Sequence, residues 1–270
     1  MTDTEAAMQR LLESNPLREP LLRSVIQALR LPAGSRGLDA GCGIGLQSLL
    51  LAEAVGPQGH VTSVDVAAEF LQYAESLVKN AGMAEQISFK EADINKLPFD
   101  DDAFDWAWSA DCAGYPSGDL LPTLRELERV VRPGGTIAIL AWSAQSLLPG
   151  YPLLEARLNA TCSALAPYLE LAPPEKHFLN ALRWFGEAGL EAAQGRTFAG
   201  SVQAPLSAEL RKALVSLFEM LWGTPQPGVS PEDREAYRLL CHPNSPGFIL
   251  NQPDYYAFFT YTIFSGQVKG

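Results

Sequence analysis

The chain has 270 residues, 47% apolar and 19% charged, the balance of a folded globular chain rather than a disordered one. Twenty basic residues against thirty-one acidic ones give a net charge of −11 with no Lys/Arg cluster, which argues against nucleic acid as a partner. No apolar run reaches the ~20 residues that span a bilayer, so stable membrane insertion is not expected, and the acidic, helix-like start has no leader pattern and points to the cytoplasm.

Apolar residues recur at helical spacing over 5–13 and 21–31, with Pro20 suited to a helix start. Strand and helix then alternate. A strand at Arg36–Ala40 runs into a glycine turn and a helix over 46–54. The turn GPQGH (56–60) precedes a strand over 60–64, a helix over 67–81 stopped by Gly82, and a strand over 86–91. A fourth strand over 104–109 leads to a helix over 120–131, the turn RPGG (132–135) and an apolar strand over 136–142. Helices between strands imply right-handed βαβ units and a parallel sheet. After Trp142 the rhythm changes to helices over 153–165 and 175–188 and a strand over 190–203. Ser207 caps a helix through Leu221, a Pro/Gly passage over 223–231 leads to a helix over 232–240, and an aromatic strand over 255–266 closes the chain.

The stretch LDAGCGIGLQSLL (38–50) carries the chemistry. Gly41 and Gly43 admit backbone conformations closed to other residues and let a ligand approach without a Cβ in the way, while Gly45 lets the next helix start close to the sheet. A structural turn alone would also use such glycines. Two further acids favour a ligand. Asp65 closes the second strand, where a carboxylate accepts from both hydroxyls of a ribose. Asp93, in EADINKLPF, follows the third strand in line with the ends of the other two. A nicotinamide-binding protein would explain the glycines and Asp65, but it gives Asp93 no role and prefers G-x-G-x-x-G, whereas position 46 is Leu. Asp39 would also repel a diphosphate. A ligand with an amine at one end, a ribose in the middle and a base amine at the other fits all three acids: S-adenosylmethionine.

On these residues the chain resembles the class I S-adenosylmethionine-dependent methyltransferases, in particular the small-molecule branch with the ubiquinone and menaquinone C-methyltransferases. The matching blocks are LDAGCGIG (38–45), VTSVDVA (61–67), EADINKLPFDDDAFD (91–105) and RELERVVRPGGTIAI (125–139), spread over Arg36 to Trp142, about two fifths of the chain. The resemblance implies a Rossmann-like α/β fold: a seven-stranded, mostly parallel sheet, helices on both faces, the last strand antiparallel and a helical insertion before it. It implies one domain over 1–270, a cofactor core over 32–142, and variable substrate-side or lid segments over 143–174 and 205–253. Asp39 and the turn Gly41, Cys42, Gly43 would face the methionine part of the donor, with Gly45 behind them. Asp65 would hold the ribose; Val66 and Phe70 would flank the adenine, Asp93 would accept from its amino group and Ile94 pack on its ring. Ser109 and Ala110 would line the wall near the transferred methyl.

Cys42 reads as a small loop filler rather than a nucleophile. The cysteines Cys42, Cys112, Cys162 and Cys241 are scattered, with no C-x-x-C pair, so reduced thiols and no metal site are expected. His60 reads as solvated; His177 and His242 are each a structural residue or a base. Asp111, just past the fourth strand, and Tyr115 are candidates to touch substrate, because open α/β sheets place reactive groups there. Because the donor's methyl is already activated, positioning supplies much of the acceleration, on the order of 7–11 kcal/mol in well-oriented cases. The expected reaction is in-line transfer to a small, largely apolar acceptor. A donor-binding protein without transferase activity and a nicotinamide oxidoreductase are the other classes. Phe218 and Trp222 either face the donor from a lid or simply pack.

Overall fold

The computed structural model describes residues 3–115, 118–160, 172–223 and 228–270. The first helix, α1 (Asp3–Leu29), is continuous where the sequence predicts two, with Pro16 and Pro20 inside it. An interior proline removes one backbone donor. Here a stripe of Leu17, Leu21, Leu22, Val25 and Ile26, each no more than 6% exposed, outweighs that loss.

The strands β1 (Arg36–Ala40), β2 (His60–Asp65), β3 (Ile87–Glu91) and β4 (Phe104–Ala110) alternate with α2 (Leu46–Val55), α3 (Ala68–Asn80) and α4 (Leu120–Val130). β5 (Val131–Ser146) follows α4 directly. The RPGG segment is therefore no free turn but a bulge within β5: Phe104 pairs with Val131, Trp106 with Thr136. A fifth helix, α5 (Pro152–Asn159), comes next; the part of its predicted range beyond residue 160, and Cys162, lie outside the described residues. The predicted helix over 175–188 is broken into two short 3-10 turns and Ala181–Glu187, the break falling at His177, whose Nδ1 accepts from the Leu179 N–H. β6 (Glu191–Gln203), two further helices (Ala208–Phe218 and Pro231–Cys241) and β7 (Tyr256–Gln267) complete the order. The helix begun at Ser207 ends at Phe218 and widens into a π turn, Glu219–Gly223.

The seven strands run β3-β2-β1-β4-β5-β7-β6. β1 is parallel to β2 and β4, β2 to β3, and β4 to β5. β7 is antiparallel to its neighbours: Gly134 N–H donates to Val268 O, Ser143 Oγ to Thr260 O, and on the other side Thr197 meets Thr262 and Ala204 N–H donates to Tyr255 O. This is the expected fold, last strand included.

The chain divides into two compact units. One comprises Leu22–Trp142, Glu175–Phe198 and Tyr261–Gly270. Its core joins strand residues Leu38, Val64, Ile137 and Ile139 to Leu124, Leu127, Phe185 and Phe264. Strands covered on both faces explain the unbroken apolar runs. The other comprises Met1–Leu21, Ser143–Pro174 and Ala199–Thr260. There Glu155 accepts from the N–H groups of Leu147 and Leu148 at 2.7 and 3.0 Å, and Arg157 holds Asp233 through two bonds of 2.8 and 2.7 Å. Phe218 and Trp222 stack on one another, and the Trp222 indole donates to Asn159.

Candidate cofactor site at the ends of the first strands

The site builds outward from the C-terminal ends of β1 and β2. The register places Asp39 beside Ser63 on one side and Trp108 on the other. Two N–H groups of the turn, Gly41 and Cys42, both donate to Val64 O at 2.9 Å. Gly43 N–H donates to Asp65 Oδ2 at 2.9 Å, Ala67 N–H to Asp65 Oδ1 at 3.0 Å, and Gly45 N–H to Cys42 O at 3.0 Å. The turn thus spends most of its donors internally and is pinned to the end of β2.

The three glycines do three different jobs. A Cβ at Gly41 would come 2.3 Å from Cys112 Sγ, and one at Gly45 would come 2.9 Å from the Cβ of Ala74 on α3. At Gly43, with φ +53°, a Cβ would meet nothing within 4 Å. Packing therefore demands Gly41 and Gly45, while Gly43 borders open space.

Beneath the turn Asp39 is 2% exposed. Its Oδ2 accepts from Ser48 Oγ at 2.7 Å, and Ser63 Oγ donates to Ser48 at 3.0 Å; both serines are fully buried. Burial pushes the Asp39 carboxyl up to about 7, Ser48 opposes that, and the charge of Asp65 adds to it. Burial also raises the Cys42 thiol far above its ordinary value and the Cys112 thiol to about 11, helped by the neighbouring carboxylates, so neither is a thiolate at neutral pH. Among the described residues no cluster of three or more His, Cys, Asp or Glu is arranged to hold a metal.

The remaining residues sit as follows. Ser109 is buried and donates to Ala40 O at 2.7 Å, tying β4 to β1 where Ala110 ends the strand. Val66 is 66% exposed and Phe70 half-buried at the start of α3. Asp93 is exposed, its Oδ1 accepting from the Asn95 N–H and side-chain amide, and Ile94 packs partly against the core. Hydrogen bonds thus join Asp65 to Gly43 and Asp39 to Ser48.

Asp111, φ +49°, has both carboxylate oxygens engaged: Oδ1 accepts from the Trp142 N–H at 2.8 Å and Oδ2 from the Tyr261 hydroxyl at 3.0 Å. It brackets β4, β5 and β7. Tyr115 packs partly buried on the core. His60 Nε2 lies 2.9 Å from Ser88 Oγ. A cleft of about 230 Å³ against α1, β6 and β7, lined by Thr136, Arg196 and Phe198 among others, shares no residue with the site.

Sequence reasoning missed Ser48, Ser63 and the seat of Cys112. The signal was present for Ser48, a small polar residue leading an apolar run on a buried helix, LQSLLL, and weaker for Ser63, set among polar residues in HVTSVD.

A glycine turn closing β1, an acid closing β2 and this strand order define the class I S-adenosylmethionine-dependent methyltransferases, and the chain belongs to that family: the family model described as "Methyltransferase domain" matches residues 31–190. S-adenosylmethionine is the cofactor that goes with it. The chain is 30% identical over 197 residues to a demethylmenaquinone methyltransferase of Staphylococcus aureus, covering 67% of this chain and 78% of that protein. It is 34% identical over 122 residues to methyltransferase GfsG of Streptomyces halstedii, covering 45% of this chain and 42% of that one. The chain spans about half the length of the curated relatives matched first. In fold it is similar to a crystal structure of a SAM-dependent methyltransferase from Aquifex aeolicus, with TM-score 0.55 and 18% identity over 99% of this chain and 100% of that one. Among the described residues no helix is long and apolar enough to cross a membrane.

Proposed function

We propose that the chain transfers a methyl group to a small, largely apolar acceptor by in-line displacement. The observation that carries this reading is the polarity of the turn. Its N–H groups at Gly41, Cys42 and Gly43 are already donated, and a buried carboxylate lies behind it. What such a turn still offers is carbonyl oxygen and negative charge, which suit an ammonium and repel a diphosphate. The residues fit the cofactor. Asp39 and the open space at Gly43 would take the methionine end, and Asp65, with lone pairs to spare beyond its two N–H bonds, would take the ribose hydroxyls. Val66 and Phe70 would flank the adenine, Asp93 Oδ2 would accept from its amino group, and Ile94 would pack on its ring. Ser109 and Ala110 would wall the reacting end.

When bound, S-adenosylmethionine supplies a sulfonium methyl already activated for displacement. The chain's own contribution is orientation and exclusion of water. With Asp111 engaged twice as a bracket between strands, we assign it to holding the site's shape. Acceptor choice falls to the segments 143–174 and 205–253; the acidic balance argues against nucleic acid, the apolar residues Leu217, Phe218, Leu221 and Trp222 favour an apolar acceptor, and we place the chain in the cytoplasm. The similarity to demethylmenaquinone methyltransferases makes quinones and phenols the first acceptors to try. Incubation with methyl-labelled donor and a panel starting from demethylmenaquinone should put label on an organic-phase product. Label in none of them, with donor binding intact, would count against an apolar acceptor.

A further inference from the structure

We propose that cofactor uptake is coupled to release of a proton by Asp39, so that affinity for the adenosyl ligand rises with pH across the neutral range. The inference rests on the reading of the glycine turn as the S-adenosylmethionine site and concerns how that site is regulated.

Asp39 is held by a relay of two buried hydroxyls, Ser63 to Ser48 to Asp39 Oδ2, which ends in the core and brings no positive charge. The titratable groups around it come from every neighbouring element: Asp65 from the end of β2, Cys42 from the turn, and Cys112 beyond β4 with Asp111 next to it. α2 contributes Ser48. All the titratable ones are acids, and among the described residues no Lys, Arg or His acts on Asp39. A buried carboxylate without a cation has two ways to avoid an uncompensated charge: keep a proton or meet a cationic ligand. The upward displacement of this carboxyl to about 7 is the first. An α-ammonium seated at the turn is the second.

The two exclude each other, so ligand must displace the proton. Below the midpoint the protonated fraction grows, and each further pH unit costs the ligand about tenfold in affinity. Above the midpoint the dependence flattens. Catalysis would then respond to acidification through occupancy of the donor site, without a titrating base at the reacting atoms.

The test is calorimetric titration with S-adenosylhomocysteine between about pH 5.5 and 7.5, where its ammonium stays charged, in two buffers of different ionisation enthalpy. The expected wild-type result is roughly a 25-fold rise in affinity with pH, with close to one proton released at the acid end and about a quarter of one at the other. Asp39→Asn should bind more weakly, with flat affinity and no proton release. Ser48→Ala, which removes the hydroxyl that favours the ionised form, should keep the proton release and move the midpoint up. Wild-type affinity that is flat, or a wild-type slope retained in Asp39→Asn, overturns the proposal and leaves the donor site standing. Absence of wild-type binding at every pH overturns the site assignment itself. If Asp39→Asn binds too weakly to titrate, an unshifted midpoint in Ser48→Ala overturns the proposal.

Discussion

The unit containing Leu22–Trp142 and the unit containing Ser143–Pro174 and Ala199–Thr260 satisfy their buried carboxyl groups differently. In the second, the conspicuous side chains are satisfied by their neighbours: Glu155 by two N–H groups, Asp233 by Arg157, the Trp222 indole by Asn159, the Tyr255 hydroxyl by Leu147 O. In the first, the strand ends keep unspent capacity. Asp39 is buried without a cation, Asp65 has acceptor sites to spare, and Gly43 borders open space. Groups left uncompensated at the end of a sheet mark where a ligand completes the structure. Groups compensated in place carry no such signal.

The contrast predicts that substitutions in the two regions fail differently. The largest effect belongs to Trp222→Ala, which cuts a 7% exposed aromatic stacked on Phe218 and should lower stability by about 3–5 kcal/mol. Thermal unfolding measures it. Unchanged stability with lost turnover would favour Trp222 as an acceptor contact, the lid alternative.

Asp39→Asn should go the other way in the ligand-free protein. Below about pH 4 the folded and unfolded chains both carry the Asp39 proton. Between that pH and the folded value of about 7 only the folded chain keeps it, so stability falls as pH rises. Above the folded value the penalty is complete, with a ceiling of roughly 4 kcal/mol that relaxation and water will reduce. The variant should therefore be more stable than wild type at alkaline pH and equal to it in acid, as urea midpoints at both pH values would reveal. A variant less stable at alkaline pH would show that the carboxylate is compensated after all.

Asp65→Ala removes the proposed ribose acceptor and frees the Gly43 N–H, and should cost about 1.5–3 kcal/mol of donor binding, tenfold to a hundredfold in Kd. Donor affinity equal to wild type would remove Asp65 from the site. The smallest effect is expected at Asp111→Asn, which keeps the bracket's shape and should cost about 1 kcal/mol of stability with donor affinity intact. If turnover vanishes while stability and affinity hold, Asp111 is catalytic rather than a bracket.

The cofactor half was legible because its demands are local. A tight turn with positive φ at 41, 43 and 45 favours glycine at each, and parallel strands buried on both faces read as apolar runs. Elements from β1 to β4 fall within a residue or two of expectation. What escaped the sequence depends on packing at a distance. The single long α1 looks like two helices because proline reads as a start until the buried stripe on either side is counted. The RPGG segment looks like a turn because pairing of its flanks with Phe104 and Trp106 is invisible locally. The two bonds that hold Asp111 are invisible in the sequence because its partners Trp142 and Tyr261 come from two other strands. Ser48 and Ser63 make sense only once β1, α2 and β2 are seen to meet around Asp39.

The most direct test is whether the turn at Gly43 binds the donor. A Cβ there meets no protein atom within 4 Å, so Gly43→Val should fold, at about 1–2 kcal/mol of left-handed backbone strain. Titrated with S-adenosylhomocysteine and with NAD, wild type should bind the first and not the second, and folded Gly43→Val should bind neither. A folded Gly43→Val that binds S-adenosylhomocysteine as tightly as wild type, or a wild type that prefers NAD, would contradict the account.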